Sequence, residues 1–464
     1  MTRYGMLINT KKCVGCFACR VACQMRNHLE TEESFISYHE VEQGKYPSVY
    51  AETVPTQCMH CVDAPCQAVC PTHATYTTDD GVVLVDETKC IGCKYCMVAC
   101  PYGARIQIEK TGVIEKCRFC YENGQPGQPP ACVGTCISKA RVFGDLDDPD
   151  SEISREIART NARPLASDLL CEVMTMVWGP MIAWYLFLAG ASAGAFVTAA
   201  FVEKKYPDSV KMRVAGRLLA PVLMGIGLIM LILDAEAGFR NPLRFAYLVM
   251  NPGSVMTLGV YFISAYMPVV LIVAVLELLK KKVPSWLTWI GGALSVAVAV
   301  YTGFLLGVVQ TYPLWNNALL PVLFAVSALS AGLAATSLVG LIFDRHRFEQ
   351  MWLVKKTHVI LCVIEVTVLF IMLTIVGAST PAGAESVHML LAGAYAPAFW
   401  LGLVAFGLVV PFCIEGWPVF ITKRVETSIT ALVLSIIGEA GVLVGGFVLR
   451  FLVVMAAVPI AFVL

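Results

Sequence analysis

The chain has 464 residues, of which 57% are apolar and only 15% charged, and its 34 acidic residues balance 34 lysines and arginines. A soluble domain carries about 25% charged residues, so a wholly soluble protein is excluded. The balanced charge, without a basic tract, gives no footing for a nucleic-acid partner. The deficit is local: residues 1–150 are polar, cysteine-rich and of mixed charge, and long uncharged apolar runs fill the chain from about Trp178 onward. The pattern predicts a soluble domain joined to a large membrane domain.

The N-terminal stretch MTRYGMLINTKKCVGC has neither an apolar run nor paired arginines, so no export signal is expected there. Sixteen of the 19 cysteines then follow between Cys13 and Cys136, in four groups of four. Group one is Cys13, Cys16, Cys19 and Cys23; group two is Cys58, Cys61, Cys66 and Cys70. Group three is Cys90, Cys93, Cys96 and Cys100; group four is Cys117, Cys120, Cys132 and Cys136. Each is three cysteines plus a fourth, four positions after the third. A C-x-x-C-x-x-C turn wraps three thiolates around three corners of an iron–sulfur cubane. In two-cluster ferredoxins the fourth cysteine, often followed by proline, serves the partner cluster. Cys70-Pro71 and Cys100-Pro101 fit, so Cys100 is expected to serve a different cluster from Cys90, Cys93 and Cys96. Zinc sites favour two C-x-x-C pairs or cysteine–histidine mixtures, and a disulfide scaffold scatters its cysteines rather than grouping them in fours. The grouping predicts four [4Fe–4S] clusters. His60 and His73 flank ligands and, as lone histidines, read as neighbours of the clusters or surface residues rather than as ligands. Stretches 81–87 (GVVLVDE) and 139–146 (KARVFGDL) read as small hairpins between loops.

Residues 151–177 read as a linker. Beyond it, apolar runs of about 20 residues predict eight membrane helices near 178–202, 214–234, 254–279, 285–309, 318–343, 357–378, 393–421 and 428–450, the last extended by an apolar tail. Thirteen lysines and arginines lie in the loops after the odd-numbered helices: Lys204, Lys205, Lys211, Arg213, Lys280, Lys281, Lys282, Arg345, Arg347, Lys355, Lys356, Lys423 and Arg424. The loops after the even-numbered helices hold two, Arg240 and Arg244. The positive-inside rule puts the first set in the cytoplasm and the cysteine domain outside. A partner bearing a signal for folded proteins is the expected means of export.

Cys171, Cys362 and Cys413 lie before or within apolar helices and read as small hydrophobes. After residue 150 only His346, His358 and His388 occur, at the ends of predicted helices or in loops, so no haem is expected. Asp234 ends the second helix and Tyr301 lies inside the fourth. Together they could exchange protons with a quinone, or Asp234 could pair with Arg240 or Arg244 while Tyr301 fills a gap. Glu365, Glu415 and Glu439, on the last three helices, read either as a proton path or as bonds that hold the bundle. Arg450 reads as a lipid-headgroup or subunit anchor, and Gly190, Ser192 and Gly194 as a close-packing face.

The stretches QCMHCVDAPCQAVCPTHA, KCIGCKYCMVACPYGAR and KCRFCYENGQPGQPPACVGTCISKARVFGDL resemble the four-cluster [4Fe–4S] electron-transfer subunits, NrfC/PsrB-like, of the dimethyl sulfoxide reductase superfamily. WGPMIAWYLFLAGASAGAF, NPGSVMTLGV, YTGFLLGVVQTYPLW and GGFVLRF resemble the NrfD/PsrC-type quinone-binding membrane subunit of polysulfide reductase. The chain thus resembles a fusion of the two. That resemblance implies an α+β double-ferredoxin-like domain over 1–150 and an all-α eight-helix membrane domain over 178–464. It also implies ligand sets: Cys90, Cys93, Cys96 with Cys70; Cys58, Cys61, Cys66 with Cys100; Cys117, Cys120, Cys132 with Cys23; Cys13, Cys16, Cys19 with Cys136. For the quinone pocket it implies Tyr301 and Asp234, with Tyr185 the nearest match on the first helix.

The implied role is that of an electron-transfer and membrane-anchor subunit of a respiratory oxidoreductase in the prokaryotic cytoplasmic membrane. It would pass electrons from menaquinone or ubiquinone, in quinol form, to a separate catalytic subunit carrying a bis-pterin molybdenum or tungsten cofactor. Two alternatives stand beside it: reverse flow, with a periplasmic dehydrogenase or multihaem cytochrome reducing quinone, and a proton-translocating coupling module. The terminal substrate is chosen in the partner.

Overall fold

The computed structural model describes residues 2–121, 129–162, 178–343, 351–416 and 429–459, the side chains at positions 41, 43, 415, 416, 429 and 431 lying outside the description. Cys171, His346, Arg345, Arg347, Lys423 and Arg424 lie outside the described residues. The chain forms two compact units. The first comprises Met1–Val177 and, with the final Ala461–Leu464, the distant segment Ala235–Ser254; the second comprises Trp178–Asp234 and Val255–Ile460. Residues 235–254, which lie within the stretch 178–464, group with the cysteine domain.

The first unit is built from short pieces around its cysteines. Its strands are β1 (Tyr4–Ile8), β2 (Ser37–Lys45), β3 (Ser48–Thr56), β4 (Thr75–Thr77), β5 (Val83–Val85), β6 (Arg105–Gln107), β7 (Ile114–Lys116) and β8 (Arg141–Asp145). They pair antiparallel in four two-stranded sheets, β1–β8, β2–β3, β4–β5 and β6–β7. Residues 81–87 form the second arm of the β4–β5 hairpin as their alternation suggests. Residues 139–146 do not form a local hairpin: β8 runs back to β1, with Ile8 opposite Arg141 and Tyr4 opposite Asp145, closing the domain by joining its two ends.

Helix is scarce here. Among the described residues between Cys13 and Thr160 the α-helices are α1 (Ala18–Asn27), α5 (Glu152–Thr160) and three single turns, α2 (Pro65–Ala68), α3 (Tyr95–Val98) and α4 (Ala131–Gly134). Each single turn holds the third cysteine of its group and stops before the fourth. In groups two and three the reason is the proline that follows: it drives the residue before it out of the α region. A second regularity repeats in the backbone. The residue preceding the second cysteine is left-handed in all four groups: Gly15 (φ 62°), His60 (φ 46°), Gly92 (φ 76°) and Phe119 (φ 54°). Such a reversal turns successive backbone N–H groups toward one point, a concavity that suits an anion. Two of the four positions use glycine, for which the conformation costs little. At Gly92 a second constraint applies, since a Cβ there would lie 3.1 Å from the Ala237 nitrogen.

The second unit is helical. It contains α6 (Pro180–Lys205), α7 (Val210–Asp234), α9 (Val255–Leu278), α10 (Ser285–Gly307), α11 (Leu319–Phe343), α12 (Trp352–Ser379), α13 (Pro381–Leu391) and α14 (Ile429–Met455). The short α8 (Glu236–Arg240) belongs to the first unit. Among the described residues seven helices are long and apolar enough to cross a membrane. The expected seventh span, 393–421, corresponds to a shorter apolar helix, Ala398–Ile414, wound largely as π-helix. The chain is thus a multi-pass membrane protein.

Small residues let these helices meet backbone to backbone. Gly194 of α6 abuts Gly332 of α11, where a Cβ on either would overlap the other's main chain, and Gly407 faces Gly445 of α14 in the same way. Ser192 donates to the Ala220 carbonyl of α7 (2.6 Å) and meets the Tyr266 hydroxyl of α9 at 3.1 Å. With no hydrophobic drive between helices in lipid, such close contact and buried hydrogen bonds carry the association.

Candidate metal centres

Four cavities of similar size lie within the first unit, and each is lined by four cysteines. Cavity A is lined by Cys70, Cys90, Cys93 and Cys96. Cavity B has Cys58, Cys61, Cys66 and Cys100, and cavity C has Cys23, Cys117, Cys120 and Cys132. Cavity D has Cys13, Cys16, Cys19 and Cys136. In every case three cysteines of one group meet the fourth of another. The thiols do not converge as they would on one ion: among the described residues no three histidine, cysteine or acidic groups do so. A zinc site gathers its sulfurs at about 2.3 Å from a single centre, whereas a cubane presents four separate iron corners. Four thiols spread around each cavity, with N–H donors in its lining, fit the cubane.

Protein N–H groups reach the sulfurs of every cavity. The Ile114 backbone donates to Cys90 Sγ (3.5 Å), Arg105 Nη2 to Cys66 Sγ (3.1 Å), Asn27 Nδ2 to Cys23 Sγ (3.4 Å) and the Ala140 backbone to Cys136 Sγ (3.2 Å). The Tyr38 hydroxyl also lies 2.8 Å from Cys19 Sγ. Hydrogen bonds to sulfur stabilise negative charge on a cluster and tune its potential. Burial pushes the Cys23 and Cys96 thiols up to about 12, and Cys100 and Cys132 up to about 11. Without a metal these four thiols are neutral at pH 7, so their ligation as thiolates would need a bound cation and would release protons.

The cavities stand in a row. Cys66 of cavity B shares one buried core with Cys70, Cys90 and Cys96 of cavity A. Cys58 of cavity B packs against a second core that contains Cys23, Cys117 and Cys132 of cavity C, and Cys19 of cavity D packs against that same core. The order is A, B, C, D. His60 lies in the wall between B and C: its Nδ1 accepts from the Val83 N–H (3.0 Å) and its ring stacks on Phe119 at 3.8 Å. Burial, with Lys116 and Arg105 nearby, lowers its pKa well below the ordinary histidine value. It is a neutral structural ring, and His73 is exposed.

The two ends of the row differ. At D, Cys16 is exposed and Cys13, Cys19 and Cys136 are half-buried. At A, the segment 235–254 closes the cavity. Ala237 joins the core of Cys70, Cys90 and Cys96. The Gly238 N–H donates to Ile91 O (2.8 Å), Arg244 Nη1 to Cys90 O (2.8 Å), Asn251 Nδ2 to Cys70 O (2.8 Å) and Ser254 Oγ to Val69 O (2.7 Å). Arg240, a possible partner of Asp234 by sequence, donates to the Lys110 and Glu109 carbonyls. Nothing in the sequence of residues 235–254 marks them as part of the cysteine domain beyond two arginines, Arg240 and Arg244, where the loop charge is otherwise sparse.

In the second unit Tyr301 is buried in α10, its ring filling the space above Gly259 of α9. The fully buried Tyr185 hydroxyl of α6 lies beside Tyr301 without a well-aligned hydrogen bond. Asp234 is half-buried at the last residue of α7. Glu365 and Glu439 are buried, and the side chain of Glu415 lies outside the described residues. His358 is not at a helix end or in a loop: it is buried in α12, with Nδ1 3.4 Å from Glu439 Oε2. Arg450 is no surface anchor. It is fully buried, donating to Leu186 O (3.1 Å), Ser327 Oγ (3.0 Å), Gly446 O (2.8 Å) and Phe324 O (3.3 Å). Ser327 also hydrogen-bonds Glu365.

Residues 169–461 match the family model described as polysulphide reductase, NrfD, and residues 49–146 match that of a 4Fe-4S dicluster domain. The cysteine domain is 41% identical over 162 residues to a thiosulfate reductase electron transfer subunit, PhsB, of Salmonella typhi, covering 34% of this chain and 82% of the relative. It is 39% identical over 176 residues to a subunit of the sulfite dehydrogenase of Allochromatium vinosum, covering 33% and 73%. A tetrathionate reductase subunit of Salmonella typhimurium is 39% identical over 154 residues, with 33% of this chain and 62% of the relative aligned.

Proposed function

Because the chain belongs to the polysulphide reductase NrfD family and carries a 4Fe-4S dicluster domain ahead of that region, we propose that it is the electron-transfer and membrane-anchor subunit of a respiratory molybdopterin oxidoreductase complex. The observation that carries this reading is the row of four cavities, each lined by four cysteines. Bound [4Fe–4S] clusters would supply one-electron carriers there, held by Cys70/90/93/96, Cys58/61/66/100, Cys23/117/120/132 and Cys13/16/19/136. The protein supplies spacing, potential and exclusion of water. Cavity D, with its exposed Cys16, is the end offered to a catalytic subunit. Cavity A is closed by the segment that begins at the residue after Asp234. The thirteen-to-two lysine and arginine bias of the loops supports an extracytoplasmic cysteine domain.

Quinol oxidation releases two protons with two electrons. Tyr185 offers a buried hydroxyl to orient the quinol oxygen, and Tyr301 and Asp234 the groups that exchange its two protons. Positioned proton transfer contributes about 10²–10⁴-fold to a rate. Y301F should therefore slow quinol-driven bleaching of the iron–sulfur absorbance by about 10²-fold, with iron content unchanged at about sixteen per chain. Stopped-flow mixing with a quinol analogue reads the rate. A rate like that of the unaltered protein removes the tyrosine from the site. The dehydrogenase among the relatives keeps the reverse direction as a variant of the same role.

A second reading rests on a different observation, the buried His358–Glu439 pair and the Glu365–Ser327–Arg450 chain on α11, α12 and α14. Intramembrane ionisable groups mark proton relays as well as structural bonds. On this reading the chain also couples electron flow to proton movement. E365Q and E439Q in proteoliposomes would then lower proton movement while turnover is retained; unchanged proton movement at intact turnover removes it.

A further inference from the structure

We propose that Arg105 and Arg141 are a matched pair of positioning residues, each a fixed cation set between two neighbouring cavities and donating N–H groups to the sulfur atoms that fill them. The inference rests on the cluster reading above and goes beyond ligation to what sets the potentials along the row.

The two arginines occupy equivalent places in a repeat. Each stands five residues after the fourth cysteine of its group, in CPYGAR (100–105) and CISKAR (136–141), and each opens a strand, β6 or β8. Both are 4% exposed. Arg105 lines cavity A and cavity B together, with Nη2 3.1 Å from Cys66 Sγ and Nη1 3.2 Å from Thr75 Oγ1. Arg141 lines cavity D, while its Nη1 donates to Gln57 Oε1 (2.7 Å) and stands 3.9 Å from Cys132 Sγ of cavity C. One arginine therefore sits between A and B, the other between C and D.

What these guanidiniums lack is as telling as what they touch. A guanidinium is always charged, and a buried charge requires a counter-ion or a full set of acceptors. None of the ion pairs among the described residues supplies a carboxylate to either arginine. Arg105 Nε and Arg141 Nη2 are both buried without an acceptor. The groups near enough to compensate them are the thiolates and whatever anion those thiolates hold. The wall between B and C is built differently: the buried Lys116 spends its donors on the Val83 and Cys117 carbonyls, the latter at 2.8 Å.

A cation beside a cluster favours the more negative, reduced form and so raises the potential. Each arginine then raises the potentials of its own pair. In redox titrations of the full chain followed by electron paramagnetic resonance, R105Q should move two of four midpoints down and leave two in place. R141Q should move the complementary two. R105K and R141K, which keep the charge but not the planar fork, should show smaller shifts than the glutamine variants. Full iron content with all four midpoints unmoved overturns the proposal, and so does an equal shift of all four in each single variant. Should a glutamine variant lose iron, unaltered protein grown on ¹⁵N-arginine decides the matter. Pulsed resonance on its reduced clusters must show arginine nitrogen coupling, and absence of that coupling overturns the proposal. Unaltered protein that holds no iron overturns the parent reading instead, so the two failures are distinguishable.

Discussion

Replacing Cys100 with alanine is expected to empty the cavity of Cys58, Cys61 and Cys66, not the cavity of its own sequence neighbours Cys90, Cys93 and Cys96. The residue follows the C-x-x-C-x-x-C run of Cys90, Cys93 and Cys96 by four positions, yet its side chain lines cavity B, while Cys70 of group two completes cavity A. Iron analysis should fall from about sixteen to about twelve atoms per chain, one cubane of four. Because B stands between A and C, quinol should still reduce the cluster in A but no longer those in C and D. The exchange Cys70→Ala should give the reciprocal result, sparing B and removing the cluster closest to the segment 235–254. Resonance spectra at successive potentials tell the two variants apart. Loss of the cluster of Cys90, Cys93 and Cys96 in the Cys100 variant, and of that of Cys58, Cys61 and Cys66 in the Cys70 variant, would show that each fourth cysteine serves its own group.

The second large effect concerns Arg450. Its guanidinium is completely buried and satisfied by three backbone carbonyls and Ser327, with the Phe187 and Phe324 rings at 5.9 and 5.2 Å. Arg450→Ala leaves those acceptors unmet and removes the cation from a network that holds Glu365 through Ser327. Breaking such a buried set costs about 3–5 kcal/mol. Unfolding of the purified protein in mixed micelles should register that loss. Arg450→Lys should recover part of it, since a lysine cannot reproduce the fork. A headgroup anchor would cost under about 1 kcal/mol on truncation, as exposed ion pairs do. A change that small would return Arg450 to the membrane surface.

Much of this molecule is legible in one dimension because two of its patterns are local. Thiol spacing within a turn is a property of a few consecutive residues, so the four cysteine groups announce cluster chemistry without any knowledge of the fold. Apolar runs long enough to cross a bilayer are likewise local, and seven of the eight expected spans correspond to helices of sufficient length. The remaining one, 393–421, has the composition and extends beyond the described residues; its described part, Ala398–Ile414, is wound largely as π-helix, a backbone choice that hydropathy does not register.

What the sequence could not decide is which groups face one another. The order of the cavities, the docking of residues 235–254 onto Cys70 and Cys90, and the return of β8 to β1 all join positions far apart in the chain. The same holds for charge. Arg450 at a predicted helix end, His358 at another, and Arg105 and Arg141 after their cysteines read as ordinary polar residues until their neighbours are known. Composition and spacing set the chemistry available to the chain, because ligand type and hydrophobic length are written residue by residue. Whether a charge is buried, and what compensates it, is decided only when packing removes the water around it.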